Sequence, residues 1–369
     1  MASEIQLAVA GSGKTTAIAG RIGAQAKGST SLAITYTTNG QREITSRVSN
    51  VNGAQHETMG WFSFLVQHIV RPYLPAVFKY VHARGLNFVE HEGLIPRNRS
   101  GWRYYFDDTH QPYNVRLGVL AKKVLEATDD APIRRLEAIY DHLYIDEVQD
   151  LTGNDLEVLK RLLHSSISVF VTGDVRQSVL QTSRSDRLHA AYRGVQVVDW
   201  FREQADTEGC VLAFAETSQR FNQAIARFSD LVHNPALKLP ETTGAFSELS
   251  LHDGVFLVDD DHLDAYVARW EPTLLRSRSS LRELPVAEVL TFGASKGLTR
   301  DRVAVLSTDP IRKWLKTKTV LKDHSAAGFY VAATRARYSV ALVVPKAARL
   351  HEQLHEDFGN LVGLWSRDE

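Results

Sequence analysis

The chain has 369 residues, 44% of them hydrophobic, with 43 Lys plus Arg against 43 Asp plus Glu. That size supports one large core or two ordinary ones, and the charge balance excludes a global positive field, so any polyanion site is local. A single cysteine, Cys210, excludes an internal disulfide and a cysteine-built zinc site, and no apolar run approaches the roughly 20 residues of a membrane span. With no signal-like core at the start, the expectation is a soluble, cytoplasmic protein without a membrane partner.

The first apolar run, residues 5–9, leads into a glycine-rich turn that reads Ala10, Gly11, Ser12, Gly13, Lys14, Thr15, Thr16. Gly11 and Gly13 let backbone N–H groups turn toward a polyphosphate, Lys14 can reach the β and γ phosphates, and Thr15 can hold Mg²⁺. The strict pattern wants Gly where Ala8 stands. A helix over residues 15–26 adds its N-terminal dipole, and residues 31–36 predict the next buried strand. A mixed aromatic helix is expected over 58–70. Pro72, Pro75, Pro96 and Pro112 then break up a stretch rich in Tyr, Trp and Phe.

The chain returns to a strand at residues 143–147, rising from apolar residues into Asp146 and Glu147, with Gln149 and Asp150 just beyond. Asp146 would hold Mg²⁺ through water, and Glu147 could take the proton from the attacking water. An ordinary strand followed by an acidic helix cap is the competing explanation, and the pairing with the Lys14 loop outweighs it. Residues 168–172 supply another strand, ending at Gly173 and Asp174. A second apolar series opens at 210–214 and continues at 255–258, 272–275, 303–306 and 339–344, separated by helical patterns. The fold class is therefore α/β in two lobes: residues 1–64 and 136–204 form the first, 65–135 a small, mainly helical insertion, and 205–369 the second. Late in the chain Arg312, Lys313, Lys316, Lys318 and Lys322 precede Arg335 and Arg337, with only Asp323 as counterweight. A solvated helical face and a phosphate-backbone track explain the first five equally well.

Ordered segments extend the reading. They are Ala10 to Thr15; Thr35, Tyr36, Thr37, Thr38, Asn39; Gly60, Trp61, Phe62, Ser63; Ile145 to Asp150; Gly173 to Ser178; Ser218, Gln219, Arg220; Ser295, Lys296, Gly297, Leu298; and Tyr330 to Arg337. In this order the chain resembles the UvrD/Rep-like branch of superfamily 1 DNA helicases, in a compact form without the large accessory domain. The resemblance implies two RecA-like P-loop NTPase lobes with parallel sheets that hydrolyse ATP with Mg²⁺ and grip single-stranded DNA. It implies that Lys14 and Thr15 hold phosphate and metal, that Asp146 is the metal-side acid and Glu147 the general base, and that Gln177 senses the γ phosphate or its water. Arg220 and Arg335 would act as arginine fingers. Asp174 would belong to a coupling loop, and Lys296 with Gly297 would close the nucleotide cleft or approach DNA. Thr37, Asn39, Phe62 and Ser63 would touch the nucleic acid; as isolated residues they are loop caps and core aromatics.

Several positions depart from that pattern. Ala8 stands too near the start for the family's adenine-reading glutamine segment, Gln219 replaces an aromatic that stacks on adenine, and Thr299 replaces an acid expected after Leu298. Residues 177–184 carry no aromatic, so the expected base-stacking platform is missing there. Too little chain lies between Arg220 and Ser295 for the large accessory domain. The leading expectation is an ATP-dependent DNA-associated helicase or translocase. The alternative is an NTP-driven switch or scaffold that controls a nuclease or another repair or defence partner without unwinding. A P-loop nucleotide or nucleoside kinase would explain Lys14 and Asp146 but not the ordered pair Arg220 and Arg335.

Overall fold

A computed structural model describes residues 3–48, 55–89, 95, 100–207, 209–278 and 288–367. The chain divides into two compact units: Met1–Leu7, Lys14–Val175 and Leu180–Ala213 make the first, and Ala8–Gly13, Arg176–Val179 and Phe214–Glu369 the second. Pro96, one of the expected breakers, lies outside the described residues.

The first unit is built on six strands: β1 (Ser3–Ala8), β2 (Thr30–Thr35), β3 (Gln55–Gly60), β4 (His142–Ile145), β5 (Ser168–Gly173) and β6 (Cys210–Ala215), in the spatial order β3-β2-β4-β5-β1-β6. Pairings of β1 with β5, β5 with β4, β4 with β2 and β2 with β3 are all parallel. In β2, Leu32, Ala33 and Ile34 are all fully buried. Successive strand residues point to opposite faces, so helices must cover both sides, and parallel pairing supplies those helices as crossovers. One of them, Lys14–Gly23, presents Ile18 and Ile22, and its neighbour Thr38–Val48 presents Ile44 and Val48. These pairs, spaced four apart, pack on Ala33, Tyr144 and Phe170. Burying each such isoleucine contributes about 2 kcal/mol.

Two sequence expectations change here. The helix expected from Thr58 starts instead at Trp61, because residues 58–60 complete β3 in register with β2, Ala33 opposite Thr58 and Thr35 opposite Gly60. β3 is a polar, half-exposed edge strand, so it lacks the apolar alternation that marks a strand. Past Phe64 the helix widens into a π-helical stretch, Leu65–Val70. The strand at 210–215, expected to open the second lobe, is β6 of the first sheet. Ser3 N donates to Gly209 O at 2.7 Å, and Val9 N to Ala215 O at 3.0 Å. Periodicity identifies a strand but not the sheet it joins. Among the described residues between β3 and β4, the helices Leu117–Ala127 and Ala131–Glu137 contribute the buried Leu117, Leu120, Val124 and Leu136.

The second unit begins its regular structure with a short parallel pair, β7 (Thr217–Ser218) and β8 (Thr243–Gly244). Its main sheet comprises β9 (Gly254–Asp259), β10 (Thr273–Arg276), β11 (Val289–Thr291), β12 (Arg300–Leu306), β13 (Ala336–Val344) and β14 (Val362–Leu364), ordered β11-β10-β12-β13-β9-β14 and paired in parallel throughout. One face is closed by an aromatic cluster in which the Trp314 ring lies 4.6 Å from Phe358 and 5.8 Å from Phe228. On the other face His252 is sandwiched between Phe256 at 4.1 Å and Trp270 at 4.3 Å, and its Nε2 meets the Tyr266 hydroxyl at 2.9 Å. Burial, with the nearby Arg302 charge, pushes the His252 pKa down to about 4.

Candidate nucleotide site and nucleic-acid contacts

In the first sheet, register places Leu7 beside Gly173 and Ile145 beside Val171, so β1, β4 and β5 end at one edge with β5 between the other two. Ligands of open parallel sheets bind at this carboxyl edge. After β1 the turn holds Gly11 at φ +76° and Gly13 at φ +85°. Both lie in the left-handed region, where a Cβ is strained, which is the physical reason for glycine there. The ten-residue helix that follows starts at Lys14, with Lys14 and Thr15 half-buried and no acid in its first turn. Its orphan N–H groups and dipole face the same edge as the β4 acids.

Asp146 is buried directly after β4; its N–H donates to Ile34 O at 2.8 Å, and its Oδ1 accepts the Glu147 N–H at 2.8 Å. Glu147 itself adopts φ +57°. For a side chain with a Cβ this costs about 1–2 kcal/mol, and such strain clusters at functional turns. Thr15 and Asp146 together offer a hydroxyl and a carboxylate, hard oxygen donors of the kind Mg²⁺ takes. Among the described residues no three His, Cys, Asp or Glu side chains form a metal cage.

Gln149 is the residue that motif reading underused. It is fully buried, its Nε2 donates to Glu147 Oε2, and its Oε1 accepts the Asp174 N–H at 3.0 Å. A Cβ on Gly173 would stand 2.3 Å from that Oε1, so β5 has to end in glycine for the amide to reach across. Gln149 therefore ties the Glu147 carboxylate to the end of the neighbouring strand. The available signal was a carboxamide two residues past Glu147 together with the Gly173-Asp174 strand end.

In the second unit, the structure brings Gln177, Arg220 and Arg335 together around Thr334. Arg335 is 1% exposed, and its guanidinium donates to Val331 O at 2.8 Å, Leu298 O at 3.2 Å, Thr334 Oγ1 at 3.2 Å and Gln177 Oε1 at 3.3 Å. Arg220 is half-buried and donates from Nη1 to Thr334 O at 3.3 Å. Two loop residues join this unit: Gly11 O accepts the Gln219 N–H at 2.9 Å, and Ala10 N–H donates to the Tyr330 hydroxyl at 3.4 Å. A Cβ on Gly11 would come 2.5 Å from Arg220 Cβ, which adds a close-approach reason to its positive φ.

The residues matched to nucleic-acid contacts lie in the first unit and have mixed local roles. Thr37 Oγ1 accepts the Gly40 N–H at 3.1 Å at the start of the helix Thr38–Val48, whereas Asn39 and Ser63 are exposed. Phe62 is buried edge-on against Tyr36 at 5.7 Å and Phe88 at 5.8 Å; Phe88 itself is 67% exposed. Next to Phe62, Trp61 Nε1 donates to Asp155 Oδ1 at 2.8 Å, and burial pushes the Asp155 pKa up to about 6. No described helix is long and apolar enough to cross a membrane.

Residues 4–182 match the family model of an AAA domain, and this part of the chain is a P-loop, AAA-type nucleotide-binding domain. The chain is similar to the crystal structure of Arterivirus nonstructural protein 10 (helicase), at 16% identity and a TM-score of 0.48, covering 95% of this chain and 62% of that one. It is similar also to the complex of that helicase with DNA, at 15% identity and a TM-score of 0.46, covering 97% and 63%. It thus spans less than two thirds of either chain's length, and likeness of this degree assigns neither subfamily nor substrate. No curated protein matches the sequence significantly.

Proposed function

We propose that the chain is an ATP-hydrolysing motor of the UvrD/Rep-like type that acts on single-stranded DNA. The observation that carries the chemistry is the carboxyl edge of the first sheet, where β4, which leads into Asp146 and Glu147, and β1, whose crossover helix begins at Lys14, flank β5. Lys14 and the turned N–H groups would bind the phosphates. Mg²⁺, held through Thr15 and Asp146, would neutralise charge on the β and γ oxygens. Glu147, oriented by Gln149, would accept a proton as a water oxygen bonds to the γ phosphorus. The bond to the β-phosphate oxygen breaks and ADP leaves with that electron pair.

Nucleic-acid contact is supported by the exposed Asn39 and Ser63 and by Phe88, exposed against the buried Phe62. Leu180, the exposed large apolar residue in the stretch 177–184, has no ring on which to stack a base, which favours the partner-controlling NTPase switch as the second reading. One experiment separates them: ATP and GTP hydrolysis measured with and without single-stranded DNA for the wild type, Glu147→Gln and Lys14→Ala. The motor reading expects DNA-stimulated turnover, near-complete loss of it with nucleotide binding retained in E147Q, and weakened nucleotide binding in K14A. Hydrolysis without DNA binding or stimulation selects the switch, and wild-type turnover by E147Q removes Glu147 from the base role.

A further inference from the structure

The late basic stretch is divided by the fold into two groups with different roles. Lys318 pairs with Asp357 at 3.1 Å and lies 4.7 Å over the Phe358 ring, Arg337 pairs with Asp301 at 3.3 Å, and Arg335 is buried. These cations serve the second unit itself. Arg312 and Lys316 instead line a surface groove with Lys346, Arg349 and Gln353, which come from a different part of the chain.

The sheet order explains the convergence. β12 and β13 are neighbours, and the helix Asp309–Thr317 that follows β12 lies beside the turn and helix Ala347–His351 that follow β13. Along the first helix Ile311, Trp314 and Leu315 are buried, which leaves Arg312 and Lys316, four apart, together on the outer face. In the second segment Ala347 and Leu350 are buried, which leaves Lys346, Arg349 and Gln353 outward. Arg312 donates to Ser307 O at 2.6 Å and pairs with Asp309. Among the described residues Lys316, Lys346 and Arg349 have no ion pair, and no carboxylate lines the groove. In a chain of balanced charge, four cations from two segments thus share one face, and among the described residues three of them have no ion pair.

We propose that this groove binds the sugar–phosphate backbone of a single-stranded nucleic acid, as a contact surface of the second unit; the inference rests on the DNA reading above. The cations come from two helical segments that line one open groove, so they can meet successive phosphodiesters of a strand. Gln353 adds an amide donor for a phosphate oxygen. No aromatic side chain lines the groove, so its contribution is independent of base identity.

The test compares Lys316→Gln/Arg349→Gln with Lys27→Gln/Lys123→Gln, which removes the same charge from exposed sites on the first unit. Fluorescent polythymine and polyadenine strands are titrated at several salt concentrations, and DNA-free ATP turnover and thermal midpoints are measured in parallel. Each lost phosphate contact lowers the log affinity against log salt slope by about 0.7, so the groove variant is expected to lose about 1.4. At low salt its affinity should fall at least about tenfold on both strands, with the control pair, DNA-free turnover and melting unchanged. Wild-type affinity and slope in the groove variant, or an equal loss in the control pair, overturns the groove while leaving the DNA reading standing. Absence of DNA binding by the wild type overturns both.

Discussion

Gln149→Glu isolates the link between the proposed base and the end of β5. The substitution keeps an oxygen for the Asp174 N–H, accepted at 3.0 Å in the wild type, and replaces the amide that donates to Glu147 with a second carboxylate. Two unit charges about 4 Å apart repel by about 4 kcal/mol at an effective dielectric near 20. At about 1.36 kcal/mol per pH unit that is about three units. Glu147 is half-buried, so solvent screening reduces the expected displacement to about one unit. The sign follows from the protonated form being favoured: the second carboxylate raises the pH below which Glu147 holds a proton, and a protonated Glu147 cannot take one from water. The acid limb of the Q149E turnover profile should therefore lie about one pH unit above the wild type's, with turnover recovering as pH rises and nucleotide affinity held. Gln149→Ala, which removes both hydrogen bonds, should lose turnover at every pH without that recovery. Single-turnover hydrolysis and nucleotide binding, measured side by side from about pH 4 to pH 8, decide the matter. A Q149E profile superimposable on the wild type's would refute the coupling.

Arg335→Ala should destabilise the second unit as well as slow hydrolysis, by about 2–4 kcal/mol, because it strands carbonyls of Val331 and Leu298 that the buried guanidinium satisfies. Denaturant unfolding checks this, and an unchanged midpoint would mean that the burial is not stabilising. His252 has its pKa depressed from 6.5 to about 4, so its contribution to stability is complete above about pH 6.5 and is lost as pH falls toward 4. Melting curves from neutral to acid pH should show that loss in the wild type and a shallower one in His252→Phe, which keeps an aromatic ring between Phe256 and Trp270. Parallel curves for the two proteins would exclude His252 as a source of the acid sensitivity.

The sequence by itself determined what depends on a few adjacent residues. A glycine-rich turn is a short run of backbone conformations, so the turn at Gly11 and Gly13 was legible from spacing, and the strand that leads into Asp146 and Glu147 was legible from apolar residues passing into acids. The α/β class was legible because strands alternated with helical patterns. The edge strand β3 escaped because a half-exposed edge need not be apolar. Only the tertiary structure decided which sheet β6 joins, that Gln149 reaches the end of β5, that Arg335 is enclosed by backbone carbonyls, and that Lys316 stands on one face with Arg349. Each of these rests on sheet order and on residues far apart in the chain. Local periodicity specifies which face of an element is buried, whereas the neighbour that buries it is selected by packing over the whole unit.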